Sequence, residues 1–161
     1  MRHVLATIES FGLNPDRLMI EITESAMTGD PRTSMEPVID ELHERGLRLA
    51  IDDFGSGHSS LSRLNQMRVS TLKIDRSFVS DVETDAGNAA IVKAVLSLGR
   101  SLGIRVVAEG VETASQASFL REHGCDMGQG YHFGRPMPAG EAEHFLTSLK
   151  PDPLIPRPCE P

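Results

Sequence analysis

The chain has 161 residues and a formal net charge of −7, with no tryptophan and a single tyrosine. This length suits one domain that buries a sizeable core. A nucleic-acid-binding surface needs clustered basic and aromatic residues, and the sequence offers neither, so we expect no DNA or RNA partner. No apolar run approaches the length of a membrane span, and the first residues are too polar for a secretory signal. These features predict a cytoplasmic protein without a membrane segment.

Helical and strand patterns alternate along the chain, beginning with a helix. Apolar residues at helical spacing predict helices over residues 4–11, 31–45, 59–65, 88–102, 112–122 and 139–149. Gly46 and Gly103 mark the ends of two of them. Short apolar runs predict strands near residues 18–23, 47–52, 70–74, 104–109 and 127–131. This alternation predicts an α/β fold in which parallel strands are joined by right-handed helical crossovers.

The most distinctive segment comes at the end of the second predicted strand. The apolar run Leu47–Ile51 leads directly into Asp52 and Asp53, and a glycine-rich loop follows at residues 54–57. Neighbouring carboxylates repel each other, and one of them tends to hold a proton unless a cation lies between them. A hard divalent metal bound through oxygen is the simplest explanation for this pair.

Each of the five predicted strands carries a polar side chain at or near its C-terminal end. These side chains are Glu21, Asp52 with Asp53, Lys73, Glu109 and Gln129. Taken singly, such a residue is an ordinary cap or a solvated strand end. A charged group among apolar residues is costly to bury unless it is paired or metal-bound, so five in the same position predict a shared site. Active sites of (β/α) barrels lie at this end of the strands, which favours a barrel over an open sheet. His58 and His132 could face the same site or be ordinary loop histidines.

Five segments, taken together and in order, resemble the EAL domain family of bacterial cyclic di-GMP phosphodiesterases. They read IEITES, DDFGSGHSSL, LKIDRSFV, VAEGVET and QGYHFGRPMP, at residues 20–25, 52–61, 72–79, 107–113 and 129–138. Each motif alone is moderately specific, but all five in this order leave little room for coincidence. The resemblance covers residues 1–149 and implies a signal-transduction domain with a TIM-like (β/α) barrel. Residues 150–161 are expected to form a proline-rich tail.

The resemblance also implies a two-metal site for Mg²⁺ or Mn²⁺. The metal ligands would be Glu21, Asp52, Asp53 and Glu109. Two further carboxylates, Glu24 and Glu112, would brace these ligands, Glu24 through the loop after Asp53.

The reaction that the resemblance implies is hydrolysis of cyclic di-GMP to the linear dinucleotide pGpG. The catalytic residues would be Lys73, Glu109 and Gln129. Lys73 would hold the attacking water or the scissile phosphate, and Gln129 would orient water or phosphate. Substrate contacts would come from Asp53, Lys73, Gln129 and Pro136.

The sequence departs from the family pattern before its first motif. The E-A-L tripeptide that names the family, and an Asn on the next strand, have no counterpart here, although both the Glu and the Asn would be metal ligands. We therefore expect an incomplete barrel of about the last five βα units, in either a fragment of a longer product or a degraded relative. Such a chain is expected to be weakly active or inactive by itself. Two open sheet edges predict self-association or association with the missing N-terminal part of the domain.

Two other functions stay open at this point. The chain could be a catalytically degenerate module that binds cyclic di-GMP or a protein partner in second-messenger signalling. It could also be an unrelated metal-dependent barrel such as an enolase-like lyase, which uses strand-end carboxylates and a lysine, but the motif order disfavours this. The retained carboxylates favour catalytic ancestry, since a binding module need not keep its metal ligands.

Overall fold

The computed structural model describes residues 6–8, 10–24, 36–56, 64 and 67–148. Within them, the strands are β1 (Met19–Thr23), β2 (Arg48–Phe54), β3 (Thr71–Ile74), β4 (Arg105–Ala108) and β5 (Met127–Gly128). The helices are α1 (Glu36–Glu44), α2 (Arg76–Ser80), α3 (Ala86–Leu102), α4 (Ala114–Glu122) and α5 (Ala139–Ser148), and a 3₁₀ turn spans Pro15–Arg17. The predicted alternation of strands and helices is confirmed. Among these helices none is both long and apolar enough to cross a membrane.

Some predicted features fall wholly or partly outside the described residues. In the first predicted helix, residues 6–8 and 10 are helical, and Leu64, from the third, is helical as well. The first five residues of the second predicted helix, residues 57–61 of the second motif with His58, and the tail at residues 150–161 lie outside the part of the chain that the structure describes.

The chain divides into two compact units, residues 1–72 and 73–161, with the boundary inside β3. In the first unit the strand order is β1-β2-β3, and β1 and β2 pair in parallel. Helix α1 packs on β2 and ends before Gly46, whose φ of +77 costs glycine little. The core of this unit is aliphatic and includes Ile22, Ile39, Leu42, Leu49 and Ile51.

In the second unit the strand order is β3-β4-β5, and β4 and β5 pair in parallel. Asp85 caps the N-terminus of helix α3, where its side chain accepts two N–H bonds from the first turn. Gly103, with φ +68, caps the C-terminus. The helix packs closely on β4. A Cβ added to Gly99 would stand only 2.4 Å from Cγ2 of Val106, so this close approach needs glycine. The fixed helix and strand provide a rigid base for the loop that follows β4.

Helix α4 begins later than predicted because of its cap. The Thr113 side chain accepts the N–H of Gln116, and the Gln116 side chain accepts the N–H of Thr113, which forms a reciprocal capping box. The helix therefore starts at Ala114, and Glu112 lies in the preceding loop rather than in the helix. Gln116 also donates from Nε2 to the carbonyl of Ser80 at 2.9 Å, which ties α4 to the end of α2.

The fifth strand is shorter than the prediction of residues 127–131. It ends at Gly128, so Gln129 follows the strand and Tyr131 lies in a turn. The chain turns here because the backbone of Gly130 lies against Val111. A Cβ added to Gly130 would stand 2.1 Å from the Val111 carbonyl oxygen, a distance that permits only glycine.

Candidate functional site

The first unit holds two neighbouring carboxylates at the end of β2. Asp52 and Asp53 are part of this strand, which continues to Phe54, whereas the sequence placed them at or just beyond its tip. Successive strand residues normally point to opposite faces, which would separate the two side chains. Asp53 has φ +56, and this left-handed backbone breaks the alternation. An oxygen of each carboxylate lies within 4.8 Å of the other.

The turn after Asp53 is held by Glu24, the residue that follows β1. Among the described residues, Asp53 is the non-glycine residue with positive φ. Such conformations persist where the surroundings enforce them, and they concentrate at functional sites. Glu24, only 3% exposed, accepts the N–H of Gly55 through Oε2 at 2.8 Å and so fixes the turn after Asp53.

Glu21 lies on the neighbouring strand β1 and is exposed. Its partner across the pair is Ala50, and the partner of Asp52 is Thr23. Paired residues of two strands lie on the same face of the sheet, and so do residues two positions apart in one strand. Glu21 and Asp52 therefore lie on one face of the first unit.

The second unit contains a buried ion pair at the ends of β3 and β4. Lys73 lies in β3, whose four residues are all buried, and is 6% exposed. Its Nζ lies 2.6 Å from Oε1 of Glu109, the residue that follows β4. The Glu109 N–H also donates to the carbonyl of Ile74 at 3.1 Å, which fixes the backbone beside the pair. An ammonium group that loses its hydration needs such a carboxylate, because a buried charge without a partner is strongly destabilising.

Gln129 and Pro136, the remaining predicted substrate contacts, lie beyond β5 and are exposed. The backbone of Gln129 is fixed on both sides. Its N–H donates to the carbonyl of Ala108 at 2.8 Å, and its carbonyl accepts the N–H of Val111 at 3.0 Å. The Gln129 side chain therefore projects from a fixed backbone position beside the end of β4. His132 is also exposed, and its backbone N–H donates to Val111.

Glu112 forms an ion pair that the sequence patterns did not indicate. Its Oε1 lies 2.6 Å from Nη2 of Arg76, the first residue of α2. The short helix α2 was also missed, although its cap leaves a signal in the sequence. Asp75 accepts the N–H of Ser77 at 2.7 Å, and an Asp two residues before a Ser is typical of a helix start.

The donor set suits a hard divalent cation. The four expected ligands, Glu21, Asp52, Asp53 and Glu109, all offer carboxylate oxygens, which Mg²⁺ and Mn²⁺ prefer. An oxygen of Asp52 and an oxygen of Asp53 lie within 4.8 Å of each other, close enough that a small adjustment would let both contact one ion. The carboxylates present could therefore hold a metal ion.

The model of the EAL domain family matches residues 1–136 of the chain. The chain belongs to the EAL domain family. Two curated relatives show the extent of the match. YkoW, a signaling protein of Bacillus subtilis, is 44% identical over 140 residues, covering 87% of this chain and 17% of YkoW. MucR of Pseudomonas aeruginosa, named as a bifunctional diguanylate cyclase/cyclic di-GMP phosphodiesterase, is 46% identical over 137 residues, covering 85% of this chain and 19% of MucR.

Solved structures of EAL domains agree with this assignment. The MucR phosphodiesterase in complex with cyclic di-GMP has a TM-score of 0.82 and 42% identity, over 86% of this chain and 56% of that chain. The EAL domain of Mycobacterium smegmatis DcpA has a TM-score of 0.81 and 39% identity, over 95% and 66%. The manganese and cyclic di-GMP complex of Klebsiella pneumoniae BlrP1 has a TM-score of 0.76 and 37% identity, over 83% and 34%. These similarities confirm the predicted fold class, a parallel α/β sheet of the EAL barrel type.

Proposed function

We propose that this chain carries active-site residues of an EAL-type phosphodiesterase that hydrolyses cyclic di-GMP to pGpG. The observation that carries the proposal is the ion pair of buried Lys73 with partly buried Glu109, 2.6 Å apart at the ends of neighbouring strands. A buried ion pair adds little to stability compared with apolar residues of similar volume, so its presence calls for a chemical reason. Membership of the EAL family and the phosphodiesterase activity for which MucR is named supply that reason.

In this proposal the metal ligands are Glu21, Asp52, Asp53 and Glu109. Two divalent cations, when bound, would polarise the scissile phosphodiester and the attacking water. The manganese complex of BlrP1 supports this choice of metal. The backbone of Asp53 and the hydrogen bond from Gly55 to Glu24 fix the carboxylates of the first unit before a metal binds. This limits the rearrangement that metal binding requires.

The remaining residues act on the substrate. The ammonium group of Lys73 donates hydrogen bonds to a phosphoryl oxygen or to the attacking water and offsets negative charge that develops on the phosphate. The amide of Gln129 orients water or phosphate from its fixed backbone position. Asp53 and Pro136 contact the dinucleotide, and Glu112 braces the loop after Glu109.

The test is conversion of cyclic di-GMP to pGpG with Mg²⁺ or Mn²⁺, followed by chromatography. The chain alone is expected to turn over slowly or not at all, since its sequence lacks the E-A-L Glu and the following Asn. An added N-terminal segment that carries both residues, fused or in trans, should restore hydrolysis, and Lys73→Ala in the restored protein should remove most of it. Restored protein that stays inactive would contradict the proposal. Rapid turnover by the chain alone would show that the two missing ligands are not required or that a second copy supplies them.

A second candidate is a catalytically degenerate module that binds cyclic di-GMP without cleaving it. The two functions separate in one experiment. Calorimetry that detects cyclic di-GMP binding by the restored protein, together with no pGpG after long incubation, would favour the binding module.

A further inference from the structure

We infer that Arg76 is a positioning residue for Glu109 and acts through the turn formed by residues 109–112, here called the Glu109 turn. The inference rests on the proposed function, in which Glu109 is a metal ligand. The motif around Arg76 reads K-I-D-x-S-F in the family pattern and leaves this position open. The resemblance therefore assigns Arg76 no role, and the inference depends on its contacts alone.

The side chain of Arg76 lies directly across the Glu109 turn. Gly110 has φ +67, and a Cβ added there would stand 2.2 Å from Cγ of Arg76 and 2.8 Å from its Cβ and Cδ. Three carbons of the arginine thus pack against the bare backbone of Gly110. Beyond them, Nη2 of Arg76 reaches Oε1 of Glu112 at 2.6 Å.

The rest of the Glu109 turn is held from the other side. The N–H of Val111 donates to Gln129 and its carbonyl accepts from His132, each at 3.0 Å. The N–H of Glu112 donates to Oε1 of Gln116 at 2.8 Å. These bonds fix Val111 and Glu112, whereas Gly110, between them and Glu109, is covered by the stem of Arg76.

Rotation of the Gly110 backbone would change the direction of the adjacent Glu109. Glycine has the widest backbone freedom, so a glycine next to a ligand needs an outside constraint to hold that ligand's direction. The Glu109 backbone is tied on its N-terminal side to Ile74 and its side chain to Lys73. Arg76 supplies the constraint on the C-terminal side. Metal ligands depend on such outer contacts, and losing one weakens metal affinity.

The same contact is expected to add little to stability. The side chains of Arg76 and Glu112 are 65% and 42% exposed, and exposed ion pairs contribute little to folding. A second exposed pair, Arg45 with Glu41 at 3.5 Å, lies in the first unit and provides a matched control. Loss of Arg76 and loss of Arg45 should therefore resemble each other in stability and differ in metal binding.

The experiment measures the Mn²⁺ dissociation constant of the full chain by calorimetry. Arg76→Ala should weaken Mn²⁺ binding about threefold to fivefold, the upper part of the range of an exposed ion pair's contribution, and Arg45→Ala should leave it unchanged. Arg76→Lys, which keeps the stem and the charge, should recover most of the loss. Melting temperatures of the two alanine variants should agree closely.

The outcomes separate the inference from the proposed function. Mn²⁺ binding that Glu109→Gln weakens but Arg76→Ala leaves unchanged would overturn the role of Arg76 alone. Equal weakening by Arg76→Ala and Arg45→Ala would overturn it too. A parent chain without Mn²⁺ binding, or binding that Glu109→Gln does not alter, would overturn the proposed metal site and the inference with it.

Discussion

At the scale of single residues, the partner of the buried lysine in the second unit makes a prediction for stability. Glu109→Gln keeps the shape of the side chain but removes the charge that faces Lys73, which is 6% exposed. A buried ammonium is destabilised when a carboxylate that pairs with it is neutralised, so the variant should have a lower free energy of unfolding than the parent. Urea denaturation of parent and variant measures the difference.

Glu112→Gln is the matched control, because it removes the same charge three residues later. Its partner Arg76 is 65% exposed and stays hydrated when the carboxylate is gone. The expected loss is below about 1 kcal/mol. Similar losses for the two variants would mean that burial of Lys73 does not control the energy of its pair.

Cys125 tests how burial of an ionisable group affects the pH dependence of the free energy of unfolding. Burial raises the pKa of its thiol from 9.0 to about 11, although backbone hydrogen bonding at Met127 partly opposes this. Between these two values the unfolded chain loses the proton and the folded chain keeps it, so stability falls as pH rises. At pH 10 this loss is about 1.4 kcal/mol relative to pH 8.

Other groups titrate in the same range, so the comparison needs a variant that lacks the thiol. The free energy of unfolding of Cys125→Ala should fall less steeply between pH 8 and pH 10 than that of the parent. The same slope in both proteins would show that the thiol ionises at the same pH in the folded and unfolded chain.

At the scale of elements, the Glu109 turn requires glycine at position 110 for two reasons, its left-handed backbone and the closeness of Arg76. Gly110 and Gly103 share a left-handed backbone, with φ +67 and +68. A Cβ at Gly103 meets nothing within 4 Å, whereas one at Gly110 meets the stem of Arg76. Gly103→Ala should cost about 1–2 kcal/mol from the backbone alone. Gly110→Ala should cost about 1–3 kcal/mol more, because the turn or the arginine must move.

Thermal unfolding of the two alanine variants compares these costs. The double variant Gly110→Ala with Arg76→Ala should regain most of the additional loss, since it removes the atoms in conflict. If Gly110→Ala alone equals Gly103→Ala, Arg76 adjusts freely and does not constrain the Glu109 turn.

The sequence predicted elements well where a pattern was long enough to detect. Seventeen-residue α3 and the apolar strands show clear periodicity, and their positions are confirmed within a few residues. Helix α2 has five residues, which is too short for helical periodicity. The fifth strand ended early because of a backbone contact between Gly130 and Val111, which no local pattern reveals.

Within the site, the sequence indicated the chemical groups better than their contacts. The strand-end carboxylates, Lys73 and Gln129 followed from position in the strands and from the family motifs. The left-handed backbone of Asp53 did not, because positive φ is uncommon for any non-glycine residue, aspartate included. The pair of Arg76 and Glu112 joins residues 36 positions apart, a separation at which an exposed ion pair leaves no sequence signal.

At the scale of the whole molecule, the edge of the first unit predicts self-association. Among the described strands, β1 has β2 as its neighbour on one side and none on the other. Phe11 and Leu13, shortly before β1, are 74% and 49% exposed. An open edge beside exposed apolar side chains favours pairing with another chain. Sedimentation should therefore show a dimer that forms as concentration rises.

Phe11→Ser should shift this equilibrium towards the monomer. Leu146→Ser is a suitable control, since it removes an apolar side chain that is 64% exposed on α5 of the second unit. A chain that stays monomeric at high concentration, or a Phe11→Ser variant that dimerises like the parent, would contradict the prediction.

The proposed metal site makes a prediction for the stability of the whole chain. A ligand that binds only the folded state raises the free energy of unfolding, by about 1.4 kcal/mol at ten times its dissociation constant. For a chain of this size the melting temperature should then rise by about 3–6 °C. Asp52→Asn removes a proposed ligand charge and should abolish most of this rise. Asp40→Asn, which removes an exposed carboxylate from α1, should keep it. Scanning calorimetry with and without Mn²⁺ measures all three proteins, and an Asp52→Asn variant stabilised as strongly as the parent would rule out the carboxylates of β2 as the place where the metal binds.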